Sequence, residues 1–429
     1  MKPYFVLLRK DIRILLRSST FYLMMIVSSL VAGNSFILAV DLYSKASIAA
    51  LNDPFYAKSF EPVPGIFVPT MGGFYLVFSL IFPFVVIPLL SKELENNTLL
   101  VLYQLEYSAA EIVWSKVVAS LVAILSPVSL VIPSLIFWKV MGGHIPLSEI
   151  ALLLAGYILY GLVVTSVSIF SASILKNTSA AAILALGTTL FSWILDFSGT
   201  VMSSHIVHTL ERFSLSRFLP LFEKGILSFK APFDMILLSS FLISVSSMLI
   251  YPGVKKQKNI AKIAIFATIV LLLWRFDPVE KDITESHRNS FPVQLVNKLR
   301  KIDEMKIEIY LSPEDSRYRD YESEFLSRLK LIRRDVKVLL KDDPELKYGL
   351  IRYEIKVNGK WKADSTYSTS PEEAFSILSA LSGVKLDFQE NPYPGYPLVI
   401  DSRDLDKLKI LYFLILPAAF TLLLFMVRK

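Results

Sequence analysis

The sequence predicts an α-helical polytopic membrane protein, with eight transmembrane helices and an extracytoplasmic α/β domain inserted between the last two. Three observations lead there. Apolar residues form 53% of the 429 positions and run in blocks long enough to cross hydrocarbon as helices. Charge is segregated: residues 1–276 carry 20 basic and 13 acidic side chains, whereas residues 277–409 carry 23 and 25. The basic surplus, net +7 overall, sits beside the apolar blocks, which reads as membrane topology rather than a nucleic-acid surface.

The predicted spans are 21–40, 70–91, 117–138, 150–175, 178–195, 235–254, 263–274 and 410–427. Seven reach or approach the roughly 20 residues a spanning helix needs. The stretch 263–274 is shorter and spans only if Lys262 and Arg275 snorkel to opposite interfaces. Orientation follows from three basic clusters. These are Lys2, Arg9, Lys10, Arg13 and Arg17 at the start, Lys255, Lys256, Lys258 and Lys262 after the sixth span, and Arg428-Lys429 at the end. Eight spans place all three on one side, the cytoplasm, with residues 277–409 outside. That is the topology expected in a bacterial inner membrane. The apolar block after Arg17 is too long for a cleaved signal peptide. Residues 3–16 mix Phe5, Val6, Leu7, Leu8, Ile12, Ile14 and Leu15 with basic side chains, which suits an amphipathic helix along the inner membrane surface or a plain positive flank. Pro83, Pro88, Pro127 and Pro133 predict kinks in the second and third spans. The small residues Ala180, Ala181, Ala182, Ala185 and Gly187 permit close packing in the fifth.

Several chemistries have no carrier. Without Cys there is no thiolate metal site or thiol nucleophile. No phosphate-cradling G-x-x-x-x-G-K-[ST] occurs, and neither H-E-x-x-H nor G-x-S-x-G is present. His205 and His208 lack a third ligand, and Asp401, Asp404 and Asp406 alternate with Arg403 and Lys407 as a solvated stretch beside the membrane. No enzyme activity, metal or cofactor is expected in this chain. Lys116, Glu149 and Asp196 border spans and are expected at interfaces.

Between the second and third spans the chain reads Ser-Lys-Glu-Leu-Glu-Asn-Asn-Thr-Leu-Leu-Val-Leu-Tyr over 91–103, then Ser-Ala-Ala-Glu-Ile-Val-Trp-Ser-Lys over 108–116. This segment resembles the signature loop of type-2 ABC exporter permeases. Glu93, Glu95, Thr98, Leu99, Leu102, Glu111, Ile112 and Lys116 match, whereas Asn97 stands for the usual Gly and the turn Pro near Glu106 is missing. The resemblance implies coupling to a separate ATPase through loop 92–105, by a helix over about 95–104 with leucines on one face and acids at its start. The segment 215–227 is similar to the short outer-leaflet element of those permeases. From 282 to 290, Asp-Ile-Thr-Glu-Ser-His-Arg-Asn-Ser resembles the gliding-motility auxiliary component of ABC transporters. Downstream, helix 293–301, strand 306–311, helix 321–334 and strand 336–340 predict a β-α-β unit. A hairpin at Asn358-Gly359 and a helix over 371–381 follow, giving a thioredoxin-like or flavodoxin-like domain.

The implied organisation is a six-helix permease domain (1–254) and a seventh helix with its basic turn (255–276). An auxiliary domain (277–409) and an eighth helix (410–429) complete it. The implied function is the permease subunit of an ATP-driven transporter, working as a homodimer in membrane lipid with two ATPase subunits that bind ATP–Mg. A further extracytoplasmic protein partner and no nucleic acid are expected. The alternative is a mechanotransducing or envelope complex that moves no substrate.

Overall fold

The computed structural model describes residues 3–52, 61–201, 214–251, 280–287, 289–313, 315–333, 335–341, 348–357, 359–384 and 396–428. They form two compact units: Met1–Trp193 with Leu215–Glu285 and Pro392–Lys429, and Ile194–Ser214 with Ser286–Asn391. The expected span 263–274, the basic turn at 255–262 and the pair His205/His208 lie outside the described residues.

The first unit is helical. α1 (Pro3–Leu16) precedes α2 (Ser19–Asn52). A π turn (Val63–Phe67) leads into α3 (Val68–Leu80), α4 (Phe82–Val86), α5 (Pro88–Glu95) and α6 (Thr98–Gln104). Then come α7 (Ala109–Val128), α8 (Val131–Val140), α9 (Leu147–Ile174) and α10 (Thr178–Val201). α11 (Leu219–Glu223), strand β1 (Ile226–Ser228) and α12 (Lys230–Ile250) follow. Among the described residues seven helices are long and apolar enough to cross a membrane: Ser19–Ala49, Val63–Leu80, Ala109–Val140, Leu147–Ile174, Thr178–Asp196, Lys230–Ile250 and Arg403–Val427.

The prolines break these helices where expected. Pro83 cannot donate to the Ser79 carbonyl four residues back, so the helix yields between α3 and α4. The freed carbonyl accepts instead from the Thr189 hydroxyl of α10 at 2.8 Å. In hydrocarbon no water would do that, so a neighbouring side chain has to. The third span likewise divides into α7 and α8 beyond Pro127.

α9 is the most enclosed of the seven and packs on α3, α4, α7, α11 and α12. Its buried Thr165, Ser168 and Ser171 donate to carbonyls four residues back, which satisfies each hydroxyl locally. A Cβ on Gly156 would stand 2.6 Å from Phe222, so only glycine lets α11 lie this close to α9. The segment expected as an outer-leaflet helix thus becomes α11 followed by β1. β1 pairs antiparallel with β2 (Glu280–Asp282), Ile226 opposite Asp282. Glu149 is 1% exposed, and its Oε1 accepts the Glu285 N–H at 3.1 Å, while His144 Nε2 lies 2.6 Å from Glu285 Oε2. Glu149, at the start of a span, is covered by β2 and the residues after it.

The last helix returns to the first. α17 (Ser402–Ile410), a π turn (Leu411–Ile415) and α18 (Leu416–Arg428) run antiparallel to α2. Ser47 and Ser44 accept the N–H groups of Leu398 and Ile400 at one end, and Ser29 donates to the Tyr412 carbonyl at 2.7 Å further along. The Tyr412 ring fills a slot that any side chain on Gly33 would occupy. Its hydroxyl donates to the Leu130 carbonyl (2.8 Å), beside the α7–α8 break, and contacts Ser134 Oγ (2.6 Å).

The second unit is α/β. α13 (Val293–Leu299) precedes β3 (Glu304–Ile309). α14 (Ser316–Tyr321), a π turn (Glu322–Leu326) and α15 (Ser327–Ile332) lead to β4 (Lys337–Leu340). β5 (Ile351–Val357), β6 (Lys360–Thr366) and α16 (Pro371–Ser382) complete it. The sheet order is β4-β3-β5-β6, with β3 and β4 parallel and the other neighbours antiparallel. That mixed order excludes the wholly parallel flavodoxin-like sheet among the two expected arrangements. Gly359, at φ +75, turns the hairpin as expected, while Asn358 lies outside the described residues. Met305, Ile307, Ile309, Ile351, Tyr353 and Ile355, alternate residues of β3 and β5, share one core with Leu295, Phe325, Leu329 and Leu378 of the helices. The opposite sheet face carries Glu304, Lys306, Glu308, Arg352, Glu354 and Lys356, neutralised in cross-strand pairs such as Lys306–Glu354 (3.6 Å) and Lys356–Glu304 (3.4 Å).

Candidate functional site

The segment singled out by sequence, 91–116, folds as the end of α5, the short α6 and the start of α7. Its first turn is decided by one residue. Asn97 sits in the left-handed region at φ +55, where Gly is favoured and Asn is among the few other residues tolerated. The helix expected over about 95–104 is therefore interrupted, ending at Glu95 and restarting at Thr98. This corrects the expected charge placement: Glu93 and Glu95 stand at the C-terminal end of α5, not at the start of α6. A helix C-terminus disfavours carboxylates, so each acid needs an outside partner. Glu95 finds it at the N-terminus of α10, accepting the Thr178 N–H at 2.6 Å. The second turn places Glu106 at φ +62, and Ser108 caps α7 in a reciprocal box with Glu111.

Glu93 finds its partners inside the protein. Lys116 of α7 is fully buried, with Nζ 2.8 Å from Glu93 Oε2 and 3.4 Å from Asp11 of α1. Lys10 of α1 pairs with Glu93 and reaches Asp11 at 3.5 Å. Ser115 Oγ completes the set by donating to Asp11 Oδ2 at 2.6 Å. Two cations and two anions thus form a neutral buried cluster joining α1, α5 and α7. Burial works against the Lys10 charge, but the Glu93 and Asp11 carboxylates outweigh it and hold its pKa above the ordinary lysine value. Lys116, at the border of its span, is covered by α1. Asp11 was missed. The signal available was its place between Leu7 and Leu15, which puts an acid in the middle of the inward stripe of an amphipathic helix.

The remaining candidates divide. Leu99 is buried and Leu102 half-buried, so both anchor α6 to the bundle, while Thr98 is exposed and its hydroxyl donates to the Glu93 carbonyl. Tyr103 OH donates to the Ile250 carbonyl at the end of α12. The outward face of α6 is apolar: Leu100, Val101 and Leu105 are 55%, 54% and 63% exposed. The structure therefore brings Glu93 and Lys116 together inside and leaves a short hydrophobic ridge outside. No group of three or more metal-ligating side chains occurs among the described residues. Comparison with known proteins identified no relative: no family model, curated protein or solved structure matches this chain.

Proposed function

We propose that the chain is the permease subunit of an ATP-driven transporter, coupled at its cytoplasmic face to a separate ATPase through α5–α6. The observation that carries the reading is the ridge Leu100, Val101 and Leu105 on and just after a two-turn helix bonded to α5 and α12. A partner pressing on that ridge displaces α5 through the two-residue turn Asn96-Asn97, and α5 passes the displacement to α1 and α7 through the ion cluster and to α10 through Glu95. Buried charges hold that linkage in register, because separating any one of them strands its neighbours in a poor solvent.

The expected topology draws support from the packing of the first unit. α18 runs antiparallel to α2, so Arg428 ends level with the start of the first span, where Arg13 and Arg17 lie. Ile250 bonds Tyr103 beside α6, whereas Glu280 pairs with Ser228 at the opposite end. That separation favours an eighth crossing at 263–274, with both termini cytoplasmic and the α/β unit outside. Two copies of this chain and two ATPase subunits would complete the machine.

The test is copurification of the full chain with an ATPase encoded beside it. Leu100→Asp with Val101→Asp is expected to abolish copurification without lowering the melting temperature of the chain. ATPase binding retained by that variant refutes the coupling role. Movement of a lipid or apolar probe in vesicles then separates transport from purely mechanical work.

A further inference from the structure

We propose that the outward face of α1 is a binding surface for anionic phospholipid in the leaflet beside the N-terminal end of the bundle. The inference needs the membrane reading above but not the ATPase. The helix has two opposed stripes. Leu7, Asp11 and Leu15, four residues apart, are buried against the bundle. Arg9, Arg13 and Arg17, also four apart, are exposed on the far side, and the Arg17 N–H still bonds the Arg13 carbonyl at 3.1 Å, which carries the stripe one residue past α1. Among the described residues, none of these three arginines pairs with a carboxylate. The only acid of α1, Asp11, is spent on Lys116 and Ser115.

Position names the partner. Arg17 stands two residues before α2, the first span, so the stripe lies where the chain enters hydrocarbon. Exposed Phe5, Val6, Ile14 and Leu16 flank the arginines. A helix facing water or an acidic protein has no use for four exposed apolar side chains, whereas a helix at the headgroup level sinks them among acyl chains. Tyr4 and the half-exposed Trp114 line a shallow depression of about 450 Å³ beside α1, and such rings collect at membrane interfaces. Guanidinium forks suit phosphate oxygens bidentately, and each basic residue near an anionic leaflet contributes separately.

The experiment uses the purified full chain in mild detergent, with equal concentrations of phosphatidylglycerol and phosphatidylcholine, and retained lipid counted by native mass spectrometry. Phosphatidylglycerol is expected to be preferred about 100-fold at low salt, with the preference falling as salt rises. Each single glutamine variant, R9Q, R13Q or R17Q, is expected to cut that preference about fivefold, and the triple variant to bring it near unity. The triple lysine variant is expected to keep most of it, because point charges still attract headgroups. Equal retention of the two lipids by the native chain, or an unchanged preference in the glutamine variants, overturns the proposal. Displacement of the lipid by an equal concentration of inorganic phosphate overturns it too, since a free anion is then the ligand.

Discussion

Replacing Lys116 by Met removes one cation from a cluster whose four charges sum to zero. The lysine is fully buried, so Glu93 and Asp11 keep their charges in a poor solvent with only half-exposed Lys10 between them. At 2.8 Å the attraction lost to Glu93 is about 6 kcal/mol gross, taking an effective dielectric constant of about 20. Relief of the lysine's own desolvation offsets part of that, and breaking a buried pair from one side typically costs about 3–5 kcal/mol net. For a body of this size the apparent melting temperature should fall by roughly 5–8 °C. The double variant K116M/E93Q removes one charge of each sign and leaves Lys10 facing Asp11, so it should recover most of the loss. Intrinsic fluorescence of the full chain in detergent reads the melting. A local readout is also at hand: the chain has no cysteine, so Leu7→Cys reports a single site. K116M should speed maleimide labelling there as α1 loosens. Melting of K116M unchanged within about 2 °C, or a double variant as unstable as the single, refutes the reasoning.

Asn97→Gly should be tolerated, whereas Asn97→Val should cost about 1–2 kcal/mol and unwind α6, measured by melting and by proteolysis between 96 and 106. Tyr412→Phe removes a buried hydrogen bond to the Leu130 carbonyl and should cost about 1 kcal/mol, while Gly33→Leu should expel the ring altogether, as cross-linking between the first and last spans would detect. In the α/β unit the hydroxyls of Tyr321 and Tyr353 meet at 2.7 Å in the core. Either single Phe variant should cost about 1–3 kcal/mol, and the double should cost less than the two summed. Hydrogen bonds from Lys306, then Lys341, hold the Glu308 carboxyl at about 2, below its ordinary 4.5. Its contribution is present above about pH 4.5 and drains away as pH falls toward 2. Glu308→Gln should flatten acid unfolding of this unit in that window, lowering its stability at pH 7 and changing little near pH 2.

Regular elements were legible in the sequence to the extent that one physical rule decides each. Hydropathy placed seven spans because hydrocarbon favours long apolar helices, and the Asn-Gly turn signal located the β5–β6 hairpin because a tight turn needs such residues. The turn at Asn97 leaves only a weak sequence signal, an Asn in place of a helix former, yet it moved two acids from one helix to the end of another. The ion cluster was not legible as a unit. Asp11, Glu93 and Lys116 lie far apart in the chain, and flanking charges look alike whether they face water or a neighbouring helix. What separates the two cases is the packing of α1, and no local pattern encodes that.

Tyr412 has a consequence for biogenesis. Ser29 and the carbonyl it serves are 383 positions apart, and the cavity over Gly33 stays open until the ribosome has made residue 412. For most of synthesis the first inserted segment therefore waits beside lipid with its socket empty and the Ser29 hydroxyl without the Tyr412 carbonyl it serves. Quality-control proteases that recognise exposed polar groups within the bilayer would then read nascent or truncated chains as unfinished, and arrival of the last segment would be the signal that assembly is complete.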